Sequence, residues 1–168
     1  MTRRRAAALA PGAACAAAAV LLGAGAPAAA CELRAHEHRS GREVLRAPLK
    51  AVAAEGMPEL RVSFVHSVLA TPVEDRYLWR AGAWVLVEER FEGEGYGLPH
   101  AADEGERLER TPNGWRLHLS RRVEPLVVRP LLAQRMRLTL DDGRTWLLGE
   151  LTTQSVELRL EGCRTDGG

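Results

Sequence analysis

"RVSFVHSVLATPVEDRYLW", Arg61 to Trp79, alternates apolar and polar side chains on both sides of an Ala-Thr-Pro break. Alternation with a period of two marks a half-buried strand. A break containing Pro72 marks a turn, because the ring fixes φ and removes a ladder donor. The stretch therefore reads as a β-hairpin, and two residues violate its pattern: His66 and Asp75 fall where apolar residues belong. With Leu69 to Pro72 as the connection, Val68 faces Val73, His66 faces Asp75, Phe64 faces Tyr77 and Val62 faces Trp79. A slip of one residue would scramble the apolar face, so the pattern selects this register.

A second hairpin through "RAGA", Arg80 to Ala83, pairs Trp79 with Trp84 and Tyr77 with Leu86, and sets Glu88 opposite Asp75. His66, Asp75 and Glu88 then form a row across three strands spaced about 4.8 Å apart. An imidazole between carboxylates is held as imidazolium or in one tautomer, and carboxylates so close call for a proton or a cation. Three readings follow. The row is a metal site with His66, Asp75 and Glu88 as ligands to a divalent ion; it is the polar floor of a ligand pocket; or it is a satisfied ion cluster that fixes the fold. Ser67 is not a nucleophile activated by His66, since neighbours on a strand point to opposite faces. No catalytic residue is assigned.

The same alternation recurs outward from this hairpin. "GWRLHLS" places Trp115, Leu117 and Leu119 on one face, "QRMRLTL" does so with Met136, Leu138 and Leu140, and "SVELRLEGC" with Val156, Leu158 and Leu160. Turn signals separate the runs: Ala81-Gly82, Pro112-Asn113-Gly114, Asp141-Asp142-Gly143 and Gly149. Short strands at this spacing predict an all-β fold, a single antiparallel sandwich or barrel-like domain. "LKAVAAEGM", residues 49–57, has room for one helical turn before Gly56 and Pro58 stop it. His36 and His38 share a face in "AHEH" without a third ligand, and His118 falls on the polar side of its strand.

The chain begins "MTRRRAAALAPGAACAAAAVLLGAGAPAAA": three arginines, an alanine-rich apolar run, then small residues. That order is a secretory signal peptide over residues 1–30. A retained anchor needs roughly 20 strongly apolar residues, and Pro11, Gly12, Gly23, Gly25 and Pro27 interrupt this run. Cleavage leaves one domain, residues 31–163, and a short disordered tail, residues 164–168, in the periplasm or another extracytoplasmic space. It removes three arginines from 23 Lys+Arg, leaving 20 against 22 Asp+Glu. That balance gives no sign of nucleic-acid binding.

Cys31 and Cys163 remain at the two extremes of the domain. An exported chain with two such cysteines suggests a disulfide between its first and last strands. Lipidation of Cys31, which would tether the protein to a membrane, and a pair of free thiols are the alternatives. Charge is uneven: Glu88 to Glu109 holds eight acids against two arginines, and Arg121 to Arg137 holds five arginines against Glu124. Either the two stretches compensate each other or the basic one docks an acidic partner or anion.

Downstream of the row lies "FEGEGYGLPH", Phe91 to His100, with Gly93, Gly95 and Gly97 followed by Pro99. Alternate glycines allow unusual dihedrals and close backbone approach to a ligand or strand. They do not make a phosphate loop, which needs GxxxxGK[ST] and a following helix. Together, "FVHSVLATPVED" and "FEGEGYGLP" resemble the bacterial DUF1850 family, whose pattern is an aromatic-x-His-Ser-Val, a Thr-Pro-Val-acidic step and a Gly-Ala-Gly-Leu-Pro-like turn. Phe64, His66, Ser67, Val68, Thr71, Pro72, Val73 and the Glu74-Asp75 step carry the first motif. Gly95, Gly97, Leu98 and Pro99 carry the second, with Tyr96 in place of the usual small residue. The likeness is read over nearly the whole domain, from Cys31 to the last strand.

The resemblance implies a non-catalytic extracytoplasmic accessory of a tripartite ATP-independent periplasmic (TRAP) transporter of the TAXI type, in contact with its binding protein or permease. The ligand-binding candidates are His66, Ser67, Asp75, Glu88, Gly95, Gly97 and Pro99. The alternatives are a small-solute or metal-binding module built on the His-Asp-Glu row, and a metal-assisted hydrolase using it.

Overall fold

The computed structural model describes residues 31–49 and 57–163. The expected signal peptide, most of the expected helical turn at 49–57 and the expected tail at 164–168 lie outside these described residues. Eleven strands are present among them: β1 Glu32–Glu37, β2 Glu43–Pro48, β3 Glu59–Val65, β4 Pro72–Arg80, β5 Ala83–Phe91, β6 Arg107–Thr111, β7 Gly114–Val123, β8 Leu126–Val128, β9 Arg137–Leu140, β10 Thr145–Leu147 and β11 Val156–Glu161. A 3-10 turn, Leu132–Gln134, precedes β9, and a one-turn helix α1, Leu148–Leu151, follows β10.

The strands form two antiparallel sheets packed together: one in the order β2-β1-β11-β8, the other β10-β9-β3-β4-β5-β7-β6. The expected β-sandwich is the observed fold. Its core is the period-two apolar set. Leu33 and Ala35 of β1 and Val156 and Leu158 of β11 meet Leu60, Val62, Leu117 and Leu138 of the larger sheet, all almost fully buried. Trp84 lies between the layers, and its indole Nε1–H donates to the Leu158 carbonyl of the opposite sheet at 3.0 Å. Burying a side chain of this size stabilises the fold by about 2 to 3 kcal/mol, and the hydrogen bond removes the cost of burying its polar atom.

Cys31 and Cys163 form a disulfide across a sequence separation of 132. It closes the ends of two neighbouring strands, since Glu32 pairs with Glu161 where β1 meets β11. The Cys31 sulfur is thereby engaged at the atom a lipid thioether would need.

Two expected registers differ from those observed. In β3–β4, Phe64 pairs with Val73, Val62 with Asp75 and Leu60 with Tyr77, four residues away from the expected pairing. The connection is residues 66–71 rather than Leu69 to Pro72, so Val68 leaves the strand face and stands 60% exposed. The cause is local. The His66 N–H donates to the Thr71 carbonyl at 2.8 Å, the Ala70 N–H donates to the His66 carbonyl at 2.9 Å, and His66 Nδ1 accepts the amides of Val68 and Leu69. His66 thus organises a loop instead of extending the ladder. A shift of four preserves parity, which is why the apolar face survives.

In β4–β5, Trp79–Trp84 and Tyr77–Leu86 pair as expected, but the register then shifts: Arg76 meets Glu88 and Asp75 meets Glu89. One extra residue, Val87, forms a β-bulge and flips every later side chain of β5 to the other face.

Candidate functional site

The bulge decides which acid joins the site. Beyond it, Glu89 and Phe91 lie on the inner face of the sheet and Glu88 on the outer face, where it is 7% exposed beneath its partners. Phe91 is 3% exposed, and its demand for the core is the signal that strict alternation could not hold from Trp84 to Phe91. Glu88 therefore leaves the expected row. Its carboxylate accepts from Arg90 Nε at 2.6 Å, with Arg116 Nε at 3.9 Å and His118 Nδ1 at 3.8 Å. His66, Asp75 and Glu88 are not a ligand trio, and among the described residues no three His, Cys, Asp or Glu side chains gather as a metal-binding group.

What the fold does assemble is a cavity of about 260 Å³ on the inner face of the larger sheet. His66, Ser67, Asp75 and Glu89 supply its polar groups, and Phe64 and Phe91 its apolar wall. Tyr96 to Pro99 form its opposite side. Gly95 lies just beyond, in an adjoining cavity with Glu106 and Arg121 that shares Glu89 and the Tyr96–Pro99 segment. The turn between the two cavities is tight: the Leu98 N–H donates to the Gly95 carbonyl at 3.1 Å, and Gly95, Tyr96 and Gly97 all have positive φ, 81°, 55° and 93°. The flanking glycines take this conformation freely. Tyr96 takes it under strain and is 71% exposed.

Two contacts hold the His66 loop against this segment. Thr71 Oγ1–H donates to the Glu92 carbonyl at 2.9 Å. Gly93 abuts Leu69, whose Cδ1 would lie 2.9 Å from any Cβ at that position. The two motif segments, 27 residues apart at His66 and Gly93, thus form one rim.

The acid pair is electrostatically unusual. Asp75 lies opposite Glu89 across β4 and β5. Burial, then the charges of Glu89 and Glu74, push the Asp75 carboxyl up to about 7, against a lowering hydrogen bond from Tyr77 Oη–H at 3.3 Å. Glu89 is pushed up by burial and by Glu106, with Arg121 opposing. Among the described residues neither carboxyl has an ion-pair partner. The phenol of Tyr77 is pushed up by burial and by Asp75.

His66 Nδ1 is an acceptor for two backbone amides at 3.3 and 3.2 Å, which places the ring proton on Nε2. Neither nitrogen is then free to take a proton from Ser67, as a hydrolytic nucleophile would require. The arrangement can donate from His66 and Ser67, accept or donate at Asp75 and Glu89, and hold a small ligand against two aromatic rings. Sequence reasoning missed Glu89 and also Gln134, which reaches the cavity from the 3-10 turn. Glu89 had a legible signal in Phe91; Gln134 had none.

The other histidines lie elsewhere. His36 faces Glu43 at 3.6 Å, and His38 sits in the turn after β1 with Nδ1 3.3 Å from Glu157. His118 Nε2 is 3.1 Å from Glu109, and Arg116 pairs with the same carboxylate at 3.3 Å, so the polar side of β7 is partnered rather than bare.

Fold and site together define a small all-β domain of the sandwich class with a polar-floored cavity beneath a glycine-rich connection. Residues 60–147 match the family described as Domain of unknown function (DUF1850), just over half of the 168 residues, and the chain belongs to that family. The match is narrower than the resemblance implied: it takes in both motifs and, but for Glu59, the whole seven-stranded sheet, and leaves out β1, β2 and β11. No curated protein and no solved structure gives a significant match.

Proposed function

We propose that this protein is a non-catalytic, exported ligand-binding accessory of a TAXI-type TRAP solute uptake system, and that the cavity between His66, Asp75, Glu89 and the Tyr96–Pro99 segment is its binding centre. The observation that supports this reading is convergence: His66, Ser67, Asp75, Gly97 and Pro99, drawn from both family motifs, line one cavity. Residues far apart in sequence that meet at a partly buried polar site are a common signature of binding. The tautomer of His66 favours recognition over nucleophilic chemistry.

The transporter association is tested by affinity purification of the mature domain from cells co-expressing a TAXI binding protein and permease. Enrichment of either subunit over an unrelated exported β-domain is the expected result, and equal recovery from both baits overturns it. Ligand binding is read separately by native mass spectrometry of the exported protein. A small-solute or metal adduct that disappears in His66→Ala supports the cavity, whereas an adduct indifferent to that substitution places the ligand elsewhere. The same spectrum under denaturing conditions reports the Cys31–Cys163 disulfide or a lipid on Cys31.

A further inference from the structure

The arginine-rich stretch does not close on itself. Arg121 meets Glu106 at 2.9 Å and Arg122 pairs with Glu124, but Arg129, Arg135 and Arg137 have no ion pair among the described residues. Arg135 and Arg137 stand at a groove of about 660 Å³ at the end of the larger sheet where β3 turns into β4. Paired positions run across it: Arg137 with Ser63, Ser63 with Glu74, Glu74 with Arg90 and Arg90 with Arg116.

The charges along this row are unevenly matched. Glu74 is 3.8 Å from Arg90, Arg90 is held mainly by Glu88 at 2.6 Å, and Arg116 reaches Glu109 at 3.3 Å. Glu92 is the second acid on the wall. Four guanidinium groups thus line the groove against two carboxylates, and the excess lies at the Arg135–Arg137 end.

Arg135 carries a second anomaly. It closes the 3-10 turn with φ 49°, a left-handed conformation, its N–H donating to the Leu132 carbonyl at 3.2 Å. Glycine or asparagine suits such a position best. The arginine is exposed, so neither backbone preference, nor burial, nor an internal salt bridge accounts for it.

We propose that this groove binds a carboxylate-bearing organic anion, with Arg135 and Arg137 as the anchoring pair and Phe64 and Trp115 as the apolar wall. The guanidinium fork matches a carboxylate in two parallel hydrogen bonds, and exposed uncompensated cations draw anions in from solution. The site is distinct from the inner cavity, from which Phe64, Val73 and Phe91 separate it as a shared wall.

The test is a titration of the full mature protein with succinate at low salt, followed by amide NMR. Succinamide serves as the uncharged isostere and inorganic phosphate as the second anion. Shifts centred on Asn113, Trp115 and Arg137, absent with succinamide, are expected. The double variant Arg135→Gln/Arg137→Gln weakens succinate roughly tenfold or more, and Arg129→Gln, outside the groove, leaves it unchanged. Arg135→Gly, which relieves the positive φ, keeps the test decisive should the double variant fold poorly: it weakens succinate while the melting temperature holds or rises. Absence of binding at millimolar succinate overturns the proposal, as does equal weakening by Arg129→Gln. Phosphate binding as tightly as succinate reduces the groove to a general anion patch and overturns the carboxylate assignment.

Discussion

Glu37 and Asp75 are acids set into strands of opposite sheets, and their surroundings drive them in opposite directions. Glu37, at the end of β1, is 7% exposed. It accepts from Arg42, from Ser40 Oγ–H at 2.5 Å and from Thr152 Oγ1–H at 2.7 Å. These donors, Arg42 foremost, hold its carboxyl down to about 2. Asp75 has one donor, a long one from Tyr77, and a second acid across the ladder, and it is pushed up to about 7. Removal from water is common to both; the supply of donors differs. Glu37 ties the β1–β2 turn to the segment after α1 and is a structural clamp. Asp75 costs stability when ionised, and such a cost concentrates where a ligand or a proton is to be received.

The largest expected effect of breaking this comparison is at Glu37. Its folded value lies below the ordinary carboxylate value of 4.5, so its contribution is complete above that pH and is lost as pH falls through 4.5 toward 2. Glu37→Gln removes the charge and one acceptor oxygen from three donors. It lowers the melting temperature by several degrees at pH 7 and by much less at pH 3. A loss of the same size at both pH values would show that shape, and not charge, holds the clamp.

Asp75→Asn comes next and has the opposite sign. The native carboxyl binds its proton up to about pH 7 and the unfolded one only to about 3.8, so folding stability falls as pH rises between these values and is flat above. The full shift corresponds to an upper bound of about 4 kcal/mol, and water at the cavity mouth lowers the expectation to about 2 kcal/mol. Asp75→Asn is therefore more stable than the parent by about this amount at pH 8 and equal to it near pH 4. Urea unfolding at the two pH values checks the sign, and a less stable variant at pH 8 would remove the premise that the acid is strained.

The strand pattern was largely legible because period-two alternation reports burial directly: Leu117 and Leu119, Leu138 and Leu140, Val156 and Leu158 all face the core as their runs predict. Register was less so. It depended on a histidine side chain capping its own loop and on a single bulge at Val87, and neither leaves a mark in alternation alone. The exchange of Glu88 for Glu89 follows from that bulge, and only the burial of Phe91 hints at it. The clamp at Glu37 was invisible for another reason, since its partner Thr152 lies 115 residues away and on no repeating pattern.

Glu89→Gln separates desolvation from repulsion at Asp75. Burial is the leading cause of the raised value and the facing carboxylate the second, so neutralising Glu89 lowers the Asp75 midpoint by about one pH unit and not to the ordinary range. The carbon-13 shift of the Asp75 carboxyl, followed against pH, measures this. A midpoint that drops to near 4 would make repulsion, and not burial, the dominant cause.

The smallest effect expected is that of Tyr77→Phe, and it tests the donor account most directly. Tyr77 is 6% exposed, and its hydroxyl reaches Asp75 Oδ2 at 3.3 Å, at the weak end of hydrogen-bond geometry. That bond favours the ionised acid, so deleting it raises the Asp75 midpoint further by a few tenths of a pH unit. Stability near pH 5, where Asp75 is protonated, changes by less than about 1 kcal/mol. The variant moves Asp75 away from Glu37 along the single axis that separates them, donors per buried carboxylate. If the midpoint falls instead, Tyr77 acts on Asp75 mainly by excluding water, and the contrast between the two sheets rests on burial alone.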